Sequence, residues 1–284
     1  MRSRTIQVSL AVVFILLLSQ MSTAGQKLRY NFEKGKVYKY STVIESKTSG
    51  QSMGQEFSMT YGADFDYSLS LLSANAGVMT LKIVFDRFNI KLNMPMMGFN
   101  DSTIVMQEYV GKRVKVVVSD KGKTLSVEPI DTIPPSRLQM MVSSTPAELF
   151  KQILLELPEK EMEMNDSWKK TNPDTISRSG MKIVMKPNIE FKIVGTEKKN
   201  DLKCWKIAIK GTSTMEGSGN QRGADVSIDG TIKTNGAAYF APAEGVSVLS
   251  EQSTETEMTT TATGAQTGAS TMTISTTVKS SLVK

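Results

Sequence analysis

Residues 57–67 have the sequence FSMTYGADFDY, in which every odd-numbered residue is apolar and every even-numbered residue is small or polar. Successive side chains of a β-strand point to opposite faces, so this two-residue period places the apolar side chains on one face. One buried face and one solvated face are typical of antiparallel strands. The stretch therefore predicts an antiparallel sheet with one face packed against a core.

The same strand-forming character occurs on both sides of this stretch. Residues 37–44 (VYKYSTVI) are mostly β-branched or aromatic, and residues 78–90 alternate again after the turn residues 75–77. Residues 113–118 and 124–127 flank a glycine-containing turn, which predicts a hairpin. The first half of the chain is therefore expected to be a succession of antiparallel strands.

A helix is expected near the middle of the chain. Residues 145–148 (TPAE) form a capping box with proline at the first helical position, and residues 149–157 then carry an apolar stripe. Pro158 ends the pattern. A weaker helix is expected over residues 135–141. Both helices would pack on the sheet.

Strands return in residues 165–284, and the last of them are dense in threonine. Residues 251–277 contain few large apolar side chains. Threonine favours strands but buries little surface, so a long solvated hairpin with a weakly fixed register is expected here. Disorder around its tip is the alternative.

Together these elements predict a mainly β protein. The expected architecture is a large antiparallel curved sheet or half-barrel, in two sheet-rich halves with one or two central helices. A single β-rich domain is expected over residues 25–284. The alternative division has lobes at residues 25–130 and 165–284, joined by a helical segment at residues 133–157.

The start of the chain has the three parts of a cleavable signal peptide, residues 1–24. Arg2 and Arg4 form a basic start, residues 8–18 are almost entirely apolar, and small residues precede the expected cleavage after Ala24. The apolar run is too short to span a bilayer, although an uncleaved anchor is the alternative. We expect an exported protein, periplasmic or extracellular, with no membrane span after cleavage. Since no cysteine stands at the cleavage point, no lipid anchor is expected.

The sequence contains no histidine, which excludes the usual serine and cysteine triads and zinc sites built on imidazole. Carboxylate pairs remain as a catalytic device: Asp64 and Asp66 would share one strand face, and Asp225 and Asp229 lie four residues apart in another. Two like charges on one face are more often solvent-facing residues. We therefore expect no enzyme activity, no metal and no cofactor.

Charge and cysteine content limit the partners and the source of stability. The net charge of +6 falls by two when residues 1–24 are removed, and the lysines are spread along the strands. A dispersed basic excess serves solubility, so no nucleic-acid binding is expected. The single cysteine, Cys204, cannot form an internal disulfide, so stability must come from a buried core.

Methionine is unusually frequent, with 18 residues in the chain. Thioethers are flexible and polarisable, so they suit surfaces that accept apolar ligands of varied shape. We expect an apolar cavity beneath the helix at residues 149–157, with a methionine lip from residues 94–97. The candidate ligand-binding residues are Phe57, Met59, Phe85, Met94, Met96, Met97, Phe150 and Leu154. Two other interpretations stay open: a Cu(I) site formed by the same methionine loop with Met106, and ordinary filling of gaps in the core.

Three segments carry motifs that fall at turns and strand starts: residues 32–40 (FEKGKVYKY), the hairpin at residues 111–127, and residues 157–160 (LPEK) followed by 165–168 (NDSW). Together they resemble a family of secreted bacterial proteins that carries no assigned function. The sheet-and-helix arrangement and residues 239–246 (YFAPAEGV) are also similar to periplasmic lipoprotein carriers and related lipid-binding half-barrels. That second resemblance implies a curved sheet that forms an apolar cup for acyl chains.

The sequence therefore favours a non-enzymatic exported protein that binds an apolar ligand, such as a lipid, between a curved sheet and helices. The alternative is a cell-envelope or surface module that binds an envelope protein. Such a module would act through sheet edges and the threonine-rich C-terminal hairpin.

Overall fold

The computed structural model describes residues 25–283 apart from residues 53, 96–97, 133–148, 152, 179, 222 and 265–266. The described part consists mainly of β-strands, with a short 3-10 helix at Gln107–Tyr109. In chain order, the strands are β1 (Val37–Ser52), β2 (Gln55–Asn75), β3 (Val78–Met94), β4 (Phe99–Val105), β5 (Arg113–Ser119), β6 (Thr124–Pro129), β7 (Ser167–Lys170), β8 (Asp174–Arg178), β9 (Met181–Lys186), β10 (Ile189–Lys199), β11 (Leu202–Gln221), β12 (Ala224–Ala241), β13 (Val246–Gly264) and β14 (Gly268–Val283).

These strands form one large antiparallel sheet, as the alternation in the sequence predicts. The sheet is not closed. The order across the sheet is β6-β5-β3-β2-β1-β14-β13-β12-β11-β10-β7, with β4 beside β3, β9 beside β11 and β8 beside β9. Most neighbours are joined by short connections, as expected of hairpins. The pairing of β1 with β14 joins the two halves of the chain, from Lys39 opposite Val283 to Ser52 opposite Ser270.

The sheet curls so strongly that both of its ends contact one short segment, residues 153–157, here called the strap. Leu157 N donates to Lys121 O in the β5–β6 turn at 2.8 Å, and the indole nitrogen of Trp168 in β7 donates to Glu156 O at 3.0 Å. Neighbouring strands lie about 4.8 Å apart, so β5 and β7, nine positions apart in the order, would be about 43 Å apart in a flat sheet. Adjacent residues of the strap reach both ends, and the sheet is therefore curved.

The core lies on the concave side of the sheet and is centred on aromatic rings. Phe150, which enters from the segment before the strap, is 1% exposed. Its ring centroid lies 5.1 Å from that of Phe85 and 5.4 Å from that of Tyr67, and Phe65 packs edge-on against Phe88 at 5.6 Å. Such tilted and edge-on contacts add to the burial of apolar area. The ring cluster anchors Phe150, just before the strap, to β2 and β3.

Of the central helix expected over residues 145–157, the structure describes residues 149–151 and 153–157, and among these only residues 149–150 have 3-10 helical geometry. The strap contains no helical turn, whereas residues 133–148, which include the second expected helix, lie outside the described residues. The backbone N–H groups of Leu155 and Leu157 bond the Tyr30 hydroxyl and Lys121 O, so they are not used in helical hydrogen bonds. The apolar spacing instead buries side chains of an extended strap, whose Leu154 is 8% exposed.

No helix among the described residues has the length and apolarity needed to cross a bilayer.

Beyond the core, the strands continue as a single layer. The expected threonine-rich hairpin is formed by β13 and β14, which pair from Leu249 opposite Ser281 to Ala262 opposite Gly268. From Gln252 to Ala262, residues alternate between half-exposed and exposed. This alternation means that neither face is fully buried there by the described part of the chain.

Replacing Phe150 with alanine is expected to lower the free energy of unfolding by about 3–5 kcal/mol, because it deletes a fully buried ring from the core. Phe57→Ala is the matched control, because Phe57 is only half-buried in β2; its cost should be about 1 kcal/mol. Urea unfolding followed by circular dichroism measures both. Equal losses for the two variants would contradict the position of the core.

Candidate functional site

A cavity of about 220 Å³ lies between the concave face of the sheet and the segment that contains the strap. Its floor comes from β1, β2 and β10 to β14, and its roof comes from residues 149–151 and 153–156. The apolar part of the lining includes Phe65, Leu69, Phe191 and Ile209 from the sheet and Phe150 and Leu154 from the roof. The curvature of the sheet brings these strands to one site.

The strap is fixed above the cavity from both sides. Leu155 N donates to the Tyr30 hydroxyl at 3.0 Å. Lys170 Nζ of β7 binds Glu156 Oε1 at 2.5 Å, beside the hydrogen bond from Trp168 to the Glu156 carbonyl. Tyr30 N in turn donates to Asp120 O at 2.7 Å, at the β5–β6 turn. The roof is thus held by a few hydrogen bonds between two distant strands of the sheet.

A close contact at Gly122 sets the distance between the strap and the β5–β6 turn. Gly122 lies in the β5–β6 turn with φ +83°, a conformation that favours glycine. A Cβ atom at this position would collide with Leu155 O and would lie 2.6 Å from Tyr30 Cε2. Any other residue here would push the strap and Tyr30 away from the sheet.

The polar part of the cavity lining includes hydroxyl groups as well as charged and amide side chains. Thr42 Oγ1 donates to Ser280 Oγ at 2.9 Å across β1 and β14, and the Tyr40 hydroxyl donates to Ser247 O at 3.0 Å. Burial raises the pKa of Tyr67, which therefore stays neutral. Thr124 Oγ1, also in the lining, is buried and has no hydrogen-bond partner among the described residues. The lining therefore combines apolar and polar surface.

The structure brings together three of the eight candidate ligand-binding residues. Phe150 and Leu154 line the cavity. Phe85 lies behind Phe150, in contact with its ring. These three residues lie together between the sheet and the central segment, and their role in ligand binding stays a prediction.

The other candidates lie elsewhere. Phe57 and Met59 are on the same face of β2 as Phe65, but Phe57 is about 27 Å further along the strand. Phe57 instead borders a shallow depression with Gly50. Met94, at the end of β3, is partly buried against the core. Met96 and Met97 lie outside the described residues, so the expected methionine lip and its Cu(I) alternative stay predictions.

The carboxylate pair Asp64 and Asp66 is held by an arginine. Arg87 of β3 donates from Nη1 to Asp64 Oδ2 and from Nε to Asp66 Oδ2, each at 2.8 Å. The Arg87 guanidinium lowers the pKa of Asp66. A general acid needs the opposite shift, because it must hold its proton near neutral pH. In the second pair, Asp225 accepts a hydrogen bond from Asn220 Nδ2 at 3.0 Å. The structure therefore gives Asp64 and Asp66 the geometry of an ion pair between strands.

No group of three or more acidic, cysteine or histidine side chains in the described part of the chain is arranged to hold a metal ion.

The sequence did not indicate the residues that hold the roof. The ring of Trp168 stacks on Phe191 with 5.3 Å between centroids. Its additional role, the hydrogen bond to Glu156, depends on the curvature of the sheet. The adjacent motifs at residues 157–160 and 165–168 are the signal that could have pointed to this junction, because they bracket the strap and β7.

No protein-family model and no curated protein matches the sequence. Among solved structures, one of lipid–protein interactions in lipovitellin matches 89% of this chain with a TM-score of 0.43 and 13% identity; the chain spans only 26% of that protein. An outer membrane channel from Pseudomonas putida F1 matches 89% of this chain and 97% of its own, with a TM-score of 0.25 and 6% identity. A protein from Bacteroides fragilis, described as exported and with a YmcC-like fold, matches 90% of this chain and 97% of its own, with a TM-score of 0.24 and 12% identity. These likenesses are distant and carry no functional conclusion.

Trp168→Phe is expected to loosen the roof while the sheet stays intact, because it keeps the stacking on Phe191 and removes the hydrogen bond to Glu156. Hydrogen exchange measured by mass spectrometry should show faster exchange in a peptide that covers the strap, by about fivefold to tenfold for a hydrogen bond of about 1 kcal/mol. Trp205→Phe is the control, because no hydrogen bond joins Trp205 to the strap among the described residues. Unchanged exchange of the strap in Trp168→Phe would contradict the proposed tether.

Proposed function

We propose that the protein binds an apolar ligand, such as a fatty acyl chain, in the cavity between the curved sheet and the strap. The observation that carries this proposal is the cavity itself, in which Phe65, Leu69 and Phe191 of the sheet face Phe150 and Leu154 of the roof, beside polar side chains. A tightly packed core would leave no such space, because protein interiors contain few voids larger than a water molecule. The apolar part of the lining gains free energy when an apolar group fills the space beside it.

The size of the cavity suits a short apolar group. At about 220 Å³, it is larger than an engineered apolar cavity of about 150 Å³ that binds benzene in another protein. Hydrocarbon groups gain about 0.8 kcal/mol for each CH₂ removed from water. A few methylene groups are therefore enough to give measurable binding.

The way in is through the roof, since the floor is a continuous hydrogen-bonded sheet. The strap is held by hydrogen bonds with Trp168, which donates, and with Tyr30 and Lys121, which accept, and each bond of this kind contributes about 0.5–1.5 kcal/mol. Opening the strap locally costs much less than separating two long strands. The same bonds then close the roof over the ligand.

The protein acts in this proposal as a non-enzymatic exported binding protein. The ion pair of Asp64 and Asp66 with Arg87 supports a structural role for the residues that otherwise suggested acid and base catalysis. The signal peptide features of residues 1–24 support export to the periplasm or the cell exterior.

A bulky residue in the cavity floor should block binding. Ser250 of β13 lines the cavity, so Ser250→Phe should fill it and reduce the affinity for a fluorescent fatty acid at least tenfold. Ser253 lies three residues further along β13, so its side chain points to the opposite, exposed face. Ser253→Phe should therefore leave the affinity unchanged. The measurement is a fluorescence titration, with circular dichroism to confirm that both variants fold.

Native mass spectrometry of gently purified wild-type protein provides an independent measurement, and a copurifying apolar ligand is expected. Wild-type protein that carries no ligand and does not bind the fluorescent fatty acid would contradict the proposed function.

The alternative function, capture of an envelope protein at a sheet edge, is favoured by one observation. Among the described residues, β4 pairs only with β3, so its other edge is open, and Val105 in this strand is 63% exposed. An added strand could pair there. Val105→Lys should abolish such capture in a pull-down from envelope extracts and should leave fatty acid binding intact.

A further inference from the structure

Four methionines lie in one row across the single-layered part of the sheet. Met272 of β14 is directly opposite Met258 of β13, and Met215 of β11 is directly opposite Met185 of β9. Gly230 of β12 lies between the two pairs, opposite both Met258 and Met215. These four residues are here called the methionine row. Their side chains share one face, because directly opposed residues of paired strands point the same way.

The methionine row is on the same face as the cavity. Val278 of β14 and Gln252 of β13 line the cavity, and Met272 and Met258 are each six residues away along the same strands. An even number of residues along a regular strand returns to the same face, and β13 pairs with β14 without a register shift over this stretch. The row lies about 20 Å from these two cavity residues.

The face between the cavity and the methionine row is also partly apolar. Ile274 of β14 and Ile232 of β12 lie on it, on either side of Thr256 of β13, which is opposite both. All three side chains are half-exposed. Isoleucine and threonine side chains therefore connect the cavity to the methionine row along this face.

Two glycines leave space beside the side chains of the methionine row. A Cβ atom on Gly230 would lie 3.1 Å from Met215 Cε, and one on Gly50 of β1 would lie 3.0 Å from Met272 Cβ. The space above these glycines is thus bordered by thioether side chains.

The opposite face of the same strands has a different chemistry. Glu255, Glu257 and Thr259 of β13 are exposed there, and Glu257 pairs with Lys233 of β12 at 3.4 Å. The face of the methionine row carries methionine, isoleucine and threonine side chains and is therefore less charged than the opposite face.

We propose that the methionine row extends the cavity into one elongated site, so that the ligand class is long-chain fatty acyl compounds. This inference rests on the proposed function and names its ligand class. At about 220 Å³, the cavity is smaller than ligand pockets of about 300–1,000 Å³, so it holds only one end of a long chain. The rest of the chain lies along β13 and β14, over Ile274, and reaches the methionine row. Flexible thioethers adapt to a chain whose conformation varies.

The experiment compares binding of octanoate and palmitate, measured by displacement of a fluorescent fatty acid. Met258→Thr with Met272→Thr replaces one thioether pair by a residue that strands favour. The control moves the pair to the other face, by adding Thr259→Met and Thr271→Met to the same double variant, because Thr259 and Thr271 are also directly opposed. Met215→Thr alone is the second variant in case the double variant does not fold.

Palmitate should bind the double variant about tenfold more weakly than wild type, and octanoate should bind both equally, because only the longer chain reaches the row. The face-swapped control should not regain palmitate affinity. Unchanged palmitate affinity, an equal loss for both acids, or recovery in the control would overturn the extended site and leave the cavity proposal standing. Failure of wild type to bind either acid would instead overturn the proposed function itself.

Discussion

The hydrogen bonds of the strap to both ends of the sheet are the constraint on which the rest of the structure depends. Leu157 N bonds the β5–β6 turn, and the carbonyl of its neighbour Glu156 accepts the Trp168 indole of β7. An open sheet of this width would otherwise be free to flatten. Because the strap connects its ends, the sheet keeps a concave face, and the cavity exists only as the space between that face and the strap.

The strand content and the buried face could be predicted from the sequence because both depend on local spacing. The alternation in residues 57–67 assigns the inner face of β2 correctly, and Phe65 and Tyr67 line the cavity. The same kind of reasoning gave a helix for residues 149–157, where the apolar spacing is real but its cause is different. Leu154 and Leu157 are buried by tertiary contacts of an extended segment, and a periodic pattern cannot distinguish these two causes.

The pairing of the first and last strands could not be predicted in the same way. The spacing of apolar residues in β1 and β14 does not indicate that these strands pair, because the pairing joins residues more than 200 positions apart in the sequence, such as Thr42 and Ser280. The site depends on this pairing, since β1 and β14 form the centre of its floor. The abundance of methionine did suggest adaptable apolar surface, but the register that aligns Met185, Met215, Met258 and Met272 is visible only in the folded sheet.

The central claim is that the two ends of the sheet are held close together, and a distance between them tests it most directly. Spin labels at Lys123→Cys and Lys169→Cys, in a Cys204→Ala background, place one probe beside the β5–β6 turn and one in β7. Double electron–electron resonance should give a narrow distribution of distances between the labels, centred at about 20 Å, because both ends of the sheet contact adjacent residues of the strap. A distribution centred near the ~43 Å of a flat sheet would contradict the account.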